Sequence, residues 1–265
     1  MTSYNLPPKK DVSLWKRAKF ILITLIVIAI YVWTFLGIDI NWGRAVERVV
    51  QNFGIVIPKL FSPDWSVTGE VAMKILETIF IAFAGTLMAS ILAIPLGFLA
   101  AKNMTNRGIA QVMKWILSAN RSFPELILAI LFVVAVGPNA FAGVLAIAIH
   151  STGMLGKLYS EVVESIDMQV VEAMEANGSN KIQVLFYGVI PQVIPEFLSY
   201  AIYRFEIDIR ASSVLGIVGA GGIGTMIIFA SINRNWNEMG LILLAIIIVV
   251  TIIDNVSSRI RRKIV

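Results

Sequence analysis

Apolar residues in this chain fall in long uncharged blocks, separated by short stretches that carry nearly all the charge. Phe20 to Ile38 is one such block, long enough to cross about 30 Å of hydrocarbon. A cleaved signal peptide has a shorter apolar core and a small-residue cleavage site, so the block reads as a retained helix. Thr78 to Ala101 is a second block. Leu126 to Gly156 contains no Lys, Arg, Asp or Glu and exceeds one span, and Gly137-Pro138-Asn139 is a turn signal inside it. It divides into helices at 121–136 and 140–160. A fifth helix is expected from Ile194 to Gly216 and a sixth from Met239 to Val256. The pattern predicts an all-α integral membrane protein with six transmembrane helices. Between the first two spans, 39–74 mixes Trp42, Trp65, Pro58 and Pro63 with apolar residues. An interfacial helix is expected around 43–57, because Trp sits well at headgroup level. The 108–119 stretch predicts a similar short helix on the inner face.

Composition agrees with that pattern. Hydrophobic residues make up 57% of the 265 and charged residues 15%, against about 25% charged in soluble domains. Disordered, collagen-like and nucleic-acid-binding classes are excluded by this balance. There is no Cys and a single His, so thiolate sites and most histidine metal sites are excluded too. The net charge of +5 is mostly topogenic. Lys9, Lys10, Lys16, Arg17 and Lys19 precede the first span. Lys102, Arg107, Lys114 and Arg121 lie between the second and third, and Arg259, Arg261, Arg262 and Lys263 form the tail. The positive-inside rule places these three groups, and so both termini, in the cytoplasm. Arg44, Arg48, Lys59 and Lys74 in the external 39–74 stretch are the exception, where length weakens the rule.

Between spans four and five, Glu172-Ala173-Met174-Glu175-Ala176-Asn177-Gly178 ends on a helix C-cap signal. An amphipathic stretch over 180–190 follows, and Pro191 and Pro195 bracket the entry to span five. A short rigid cytoplasmic helix–turn–helix suits docking into a partner's groove; an ordinary connecting loop is the plainer alternative. This stretch resembles the EAA loop of ABC-transporter permeases, with Glu172, Ala173, Gly178 and Pro191 in register. Met174, Gly188 and Ile190 depart from the pattern, but none removes the helix, the turn or the proline. Arg121 to Glu125, His150 to Lys157 and Ser212 to Gly224 look most like the phosphonate permease subfamily, with methionine-type permeases as the nearest alternative.

The resemblance covers about 74–257. It implies an importer-type permease core, methionine-permease-like, with residues 1–73 as an N-terminal arm, extra helix and external segment, and 258–265 as a basic tail. It also implies the pore-forming subunit of a bacterial cell-membrane importer for phosphonate or a related phosphorus oxyanion. The expected partners are a second copy, two ATP-binding subunits docking on Glu172, Ala173, Glu175, Gly178 and Pro191, and an external solute-binding protein. No nucleic acid is expected. No cofactor belongs to this chain, ATP and Mg being held by the partner, and the chain itself is not an enzyme.

Two clusters remain. Gly219-Ala220-Gly221-Gly222-Ile223-Gly224 matches a dinucleotide fingerprint in letters only, since no strand, βαβ unit or suitably spaced acid accompanies it. Gly216, Ala220 and Gly224 recur every four residues, a spacing for close helix contact; the glycines Gly219, Gly221, Gly222 and Gly224 also suit a flexible external gate. Arg204, Glu206, Asp208 and Arg210 lie within span five, about 14 to 22 Å beyond Pro195. Each charge at a bilayer centre costs about 2.5–3.5 kcal/mol. Arg204–Asp208 and Glu206–Arg210 are i,i+4 pairs that can neutralise one another on two faces. They form either a structural ion-pair lock or a polar translocation path, in which arginine would hold an oxyanion. Ser212, Ser213, Ser151 and Thr152 could line such a path, but membrane hydroxyls often bond their own backbone. His150 reads as a packing residue before a ligand. An ion-coupled transporter using Glu206 and Asp208 is a rival reading. A membrane hydrolase lacks the required side chains.

Overall fold

The computed structural model describes residues 14–37 and 41–264. Lys9 and Lys10 of the basic arm, Ile38 of the first expected span and Val265 of the tail lie outside them. The chain divides into two compact units, Met1–Ile55 and Val56–Val265.

In the first unit, α1 (Leu14–Gly37) carries Lys16, Arg17 and Lys19 near its start and is uncharged from Phe20 onward, and no part of its apolar window is buried. Helix α2 (Trp42–Leu60) begins there and is amphipathic. Its N-terminus is capped by Asn41, whose Oδ1 accepts from the Arg44 N–H at 3.2 Å.

The second unit is a bundle built on α3 (Thr68–Ala100), entered through a 3₁₀ turn at Trp65–Val67. Then come α4 (Arg107–Ser122), α5 (Glu125–Val136) and α6 (Ala140–Glu164). Next are α7 (Met168–Ala176), the three-residue α8 (Lys181–Gln183), a π turn at Val184–Val189 and α9 (Ile190–Leu215). A 3₁₀ turn at Gly216–Val218, α10 (Gly224–Ile232) and α11 (Trp236–Ile264) complete it. Among the described residues, five helical stretches are each long and apolar enough to cross a membrane. A sixth is reached only by counting α4 and α5 together across an 81° bend.

That bend corrects the expected helix at 121–136. Pro124 lacks an N–H and forces the residue before it out of the helical region. Phe123 is accordingly extended, at φ −75° and ψ 124°, so α4 stops at Ser122 with Arg121 in its last turn, and α5 is a half-length helix of 12 residues. The connection at 217–238 likewise contains a helix, α10, that the glycine run concealed. Span five is longer than expected, because the helical path is continuous from Lys181 to Val218. Helix α11 runs past Val256, carrying the basic tail with it.

Helices α3 and α6 form the centre of the bundle, and small residues let them approach. Lipid tails are as apolar as leucine, so packing and backbone proximity hold such helices together. Ala82, Gly85, Ala89, Ala93 and Gly97 make a buried stripe on α3. A Cβ on Gly85 would stand 2.6 Å from Ile147, and one on Gly97 would stand 2.7 Å from Tyr159. On the other side of α6, a Cβ on Gly156 would stand 2.8 Å from Leu117 of α4. The Tyr159 ring stacks on Phe197 of α9 with centroids 3.9 Å apart, and its hydroxyl donates to the Phe197 carbonyl at 3.2 Å. Gly97→Leu is therefore expected to overpack the α3–α6 contact and cost about 1–3 kcal/mol. Gly69→Ala, whose Cβ meets nothing within 4 Å, is expected to be neutral or slightly stabilising. Thermal melting of the detergent-solubilised chain distinguishes the two, and equal melting points would contradict the packing assignment.

Candidate functional site

The buried polar core of the bundle centres on Asp208. Its side chain is fully enclosed, and Arg204, one turn earlier on α9, is 4% exposed. The Arg204 guanidinium meets the Asp208 carboxylate at 2.8 Å. Thr86 of α3 donates to the same carboxylate at 2.7 Å, and Ser151 of α6 at 2.9 Å. Arg204 Nε also donates to Ser151 at 2.9 Å, and Glu125 of α5 lies 3.9 Å from the guanidinium. Ser151 is eleven residues from the start of α6 and thirteen from its end, which puts the cluster about 17–20 Å from either end of that helix. Four helices thus converge on one ion pair in mid-span. Sequence reading found the pair but not Thr86 or Glu125, because neither has any local pattern linking it to α9.

The second i,i+4 pair also forms, on the other face of α9. Arg210 contacts Glu206 at 3.2 Å and Asp254 of α11 at 2.5 Å. Arg261 reaches Glu206 at 2.9 Å and lies over the Tyr203 ring at 5.3 Å. Arg210 is 46% exposed at its side chain, in contrast to the sealed Arg204. Asp254 and Arg261 were readable only as the end of a span and part of a basic tail.

The hydroxyls divide by role. Thr152 and Ser213 donate to carbonyls one turn back, Ala148 at 2.7 Å and Ile209 at 3.1 Å. Ser151 and Ser212 bridge helices, Ser212 donating to the Thr78 carbonyl at 3.0 Å. His150 is half-buried and lies beside Ser151 on α6. No group of three or more His, Asp or Glu able to hold a metal occurs among the described residues.

The glycine run does not form the expected helical stripe. Helix α9 stops at Leu215, and Gly219, Gly221 and Gly222 take φ values of +88°, +82° and +75°, a region only glycine occupies readily. The chain folds back so that Gly216 abuts Gly224, with their nearest approach set by the missing side chains. The turn is pinned to α3, since the Gly222 N–H donates to Glu77 at 3.0 Å and the Ile223 N–H to Thr78 at 2.8 Å. Close contact is thus achieved by a tight turn, because three left-handed residues cannot lie within a continuous α-helix.

At the other end of α9 stands the helix–turn–helix. Asp167 caps α7 by accepting from the Gln169 N–H at 2.9 Å. Gly178, at φ +82°, ends it, with the Ser179 N–H donating to the Met174 carbonyl at 3.1 Å. A capping box between Asn180 and Gln183 starts α8. Val171 and Met174 turn inward on to the hydrophobic core, whereas Glu172, Ala173 and Glu175 are exposed. Beside them Ile182, Phe186 and Tyr187 are 68%, 57% and 74% exposed. Gln192, which the motif did not single out, ties the unit together. Its Oε1 accepts from the Asp167 N–H at 2.9 Å, and its Nε2 donates to the Gly188 carbonyl at 2.7 Å. Pro191 follows the π turn at the start of α9, where a missing N–H is tolerated.

Comparison with known proteins bears on the family and the fold. Residues 93–264 match the family described as the binding-protein-dependent transport system inner membrane component. The chain is 41% identical over 255 residues to the phosphite transport system permease protein PtxC of Stutzerimonas stutzeri, covering 85% of this chain and 92% of that one. It is 33% identical to the putative phosphite transport system permease protein HtxC of the same organism, covering 96% and 89%. Among solved structures, a chain of the inward-facing MetNI methionine ABC transporter superposes with a TM-score of 0.68 at 20% identity, covering 76% of this chain and 99% of that one. The last likeness concerns the fold. With most of its length inside the family match and a relative spanning nearly the whole of it, this chain belongs to the binding-protein-dependent inner membrane components, the multi-pass permease subunits of ABC importers.

Proposed function

We propose that the chain is the pore-forming half of a homodimeric importer for a phosphorus oxyanion of the phosphite or phosphonate class. Two ATP-binding subunits, which hold ATP and Mg, dock on the cytoplasmic side, and an external solute-binding protein delivers the substrate. The substrate class rests on the two phosphite permease relatives. The cytoplasmic placement of both termini rests on the distribution of Lys and Arg. Residues 74–257 serve as the permease core and 258–265 as its basic tail.

The observation that carries the reading is the helix–turn–helix at 167–190. Its inner side is built into the core through Val171, Val184 and Val189, and Gln192 stiffens its base. Its outer side presents Glu172, Ala173 and Glu175 beside bare Ile182, Phe186 and Tyr187. An apolar anchor group rimmed by carboxylates has the character of a docking surface. In this reading α7 is the coupling element, and Gly178 and Pro191 set its angle to α9.

For Arg204 and Asp208 the geometry favours the lock over the path. Every strong partner of Asp208 is internal, and the pair is sealed from solvent. The more exposed Glu206 and Arg210, with the half-buried His150, remain the residues proposed for a polar path, whereas Ser212 and Ser213 are buried like the pair and bond backbone carbonyls. The glycines at 219–224 act as packing that closes the bundle on α3, and a gate at that turn would have to release Glu77 and Thr78.

Two experiments test these assignments. Nothing lies within 4 Å of a Cβ built on Gly178, so substitution there acts through the backbone alone. Gly178→Val, forced into a left-handed conformation at roughly 1–2 kcal/mol, is expected to leave insertion intact while severing ATP hydrolysis from uptake in proteoliposomes. Gly178→Asn, which tolerates that conformation, should retain most coupling; normal uptake by the valine variant would sink the assignment. For the lock, Arg204→Leu alone leaves a buried charge unpaired and is expected to cost about 3–5 kcal/mol. The double variant Arg204→Leu/Asp208→Leu should recover much of that loss and still transport. A stable double variant without uptake would return the pair to the path.

A further inference from the structure

Helix α2 takes no part in the coupling unit or the buried cluster, and its two faces differ sharply. At 100° per residue, Trp42, Val46, Val49, Phe53 and Leu60 fall on one side. Arg44, Arg48, Gln51 and Lys59 fall on the other. None of its residues is buried, and Val46 and Phe53 are each about 60% exposed. Within the first unit, the Trp42 ring stacks on Phe35 with centroids 5.3 Å apart, and Phe35 meets Tyr31 at 5.1 Å. These rings gather at the end of an apolar helix long enough to span a membrane, where aromatic side chains favour headgroup level. Within the second unit, the segment that leaves α2 is fastened to the start of α11. Asn237 donates to the Ser62 carbonyl at 2.6 Å, the Asp64 N–H donates to the Asn237 carbonyl at 3.2 Å, and Gly240 backs on to the Leu60 carbonyl.

Each end of α2 is therefore attached where a membrane-crossing helix ends or begins. Its 19 residues make about five helical turns. An exposed apolar stripe next in sequence to a helix long enough to span a membrane suits the headgroup–acyl boundary. The polar side carries three basic residues against the single acid Glu47, which complements anionic phosphate. Interfacial helices bind by this combination of apolar burial and attraction to anionic lipid.

We propose that α2 is a monotopic membrane anchor: it lies along the bilayer surface, its Val46–Phe53 face sunk in the headgroup–acyl boundary and Arg44 and Arg48 on phosphates of anionic phospholipid. The alternatives for the apolar face are a second copy of the chain or a soluble protein partner.

The chain contains no cysteine, so a single reporter thiol can be introduced without other change. Val46→Cys and Gln51→Cys would each be labelled with an environment-sensitive fluorophore in the full-length chain, in nanodiscs of phosphatidylethanolamine and phosphatidylglycerol. The label at 46 is expected to be quenched by a nitroxide on the lipid acyl chain and not by aqueous iodide, with the reverse at 51. In the Arg44→Glu/Arg48→Glu background, or in purely zwitterionic discs, nitroxide quenching at 46 should fall several-fold. A label at 46 reached by iodide in anionic discs overturns the anchor, because the helix then stands in water. Shielding from both quenchers overturns it in favour of a protein cover. Quenching that is unchanged by lipid charge and by the arginine substitutions overturns the anionic-lipid assignment.

Discussion

A carboxylate in the middle of a helix bundle has few ways to remain ionised, and Asp208 uses most of them at once. It takes a guanidinium from its own helix, a hydroxyl from α3 and a hydroxyl from α6. Each of those donors would otherwise need a partner of its own in a region where water is scarce. Three long helices of the bundle, α3, α6 and α9, are thereby held to one point. Separating any of them from it strands a buried charge, which costs more than the intact pair contributes. The cluster thus supplies specificity of arrangement, and the surrounding apolar contacts supply the bulk of the packing.

That point can exist only because α3 and α6 lie so close. Serine and threonine have the shortest polar side chains available, and they reach Asp208 at 2.7–2.9 Å from two different helices. The glycines at 85, 97 and 156 remove the side chains that would hold the helices apart. Small residues and the ion pair are therefore parts of one solution, the first creating the distance that the second requires. The end of the bundle at the glycine turn repeats this logic, with Glu77 and Thr78 receiving the backbone of that turn.

Much of this was legible beforehand. The apolar blocks located the long helices, since burial in lipid leaves no other reading of so long an uncharged run. The i,i+4 spacing of Arg204, Glu206, Asp208 and Arg210 announced two pairs, and both formed. The C-cap signal at Asn177-Gly178 located the turn, which needs a left-handed residue. What stayed hidden was non-local. Thr86, Glu125, Asp254 and Arg261 join the polar clusters from helices distant in sequence, and nothing in their neighbourhoods points there. The glycine run misled because a spacing of four suits a stripe, whereas the backbone needed positive φ. The short helix expected over 108–119 is present as α4, and the helix expected from 121 starts only at Glu125, because Pro124 turns the chain between the two.

The π turn at Val184–Val189 has a consequence for everything beyond it. A π turn accommodates one residue more than an α turn, and one residue of α-helix corresponds to about 100° of rotation. Side chains from Ile190 onward therefore stand at an azimuth offset from the one an unbroken α-helix from Lys181 would give them. The face of α9 that presents Asp208 to Thr86 and Ser151 is thus phased by six residues some twenty positions away. Those six belong to the helix–turn–helix itself, so the bearing of the buried carboxylate and the seating of the proposed docking surface depend on the same short stretch of backbone.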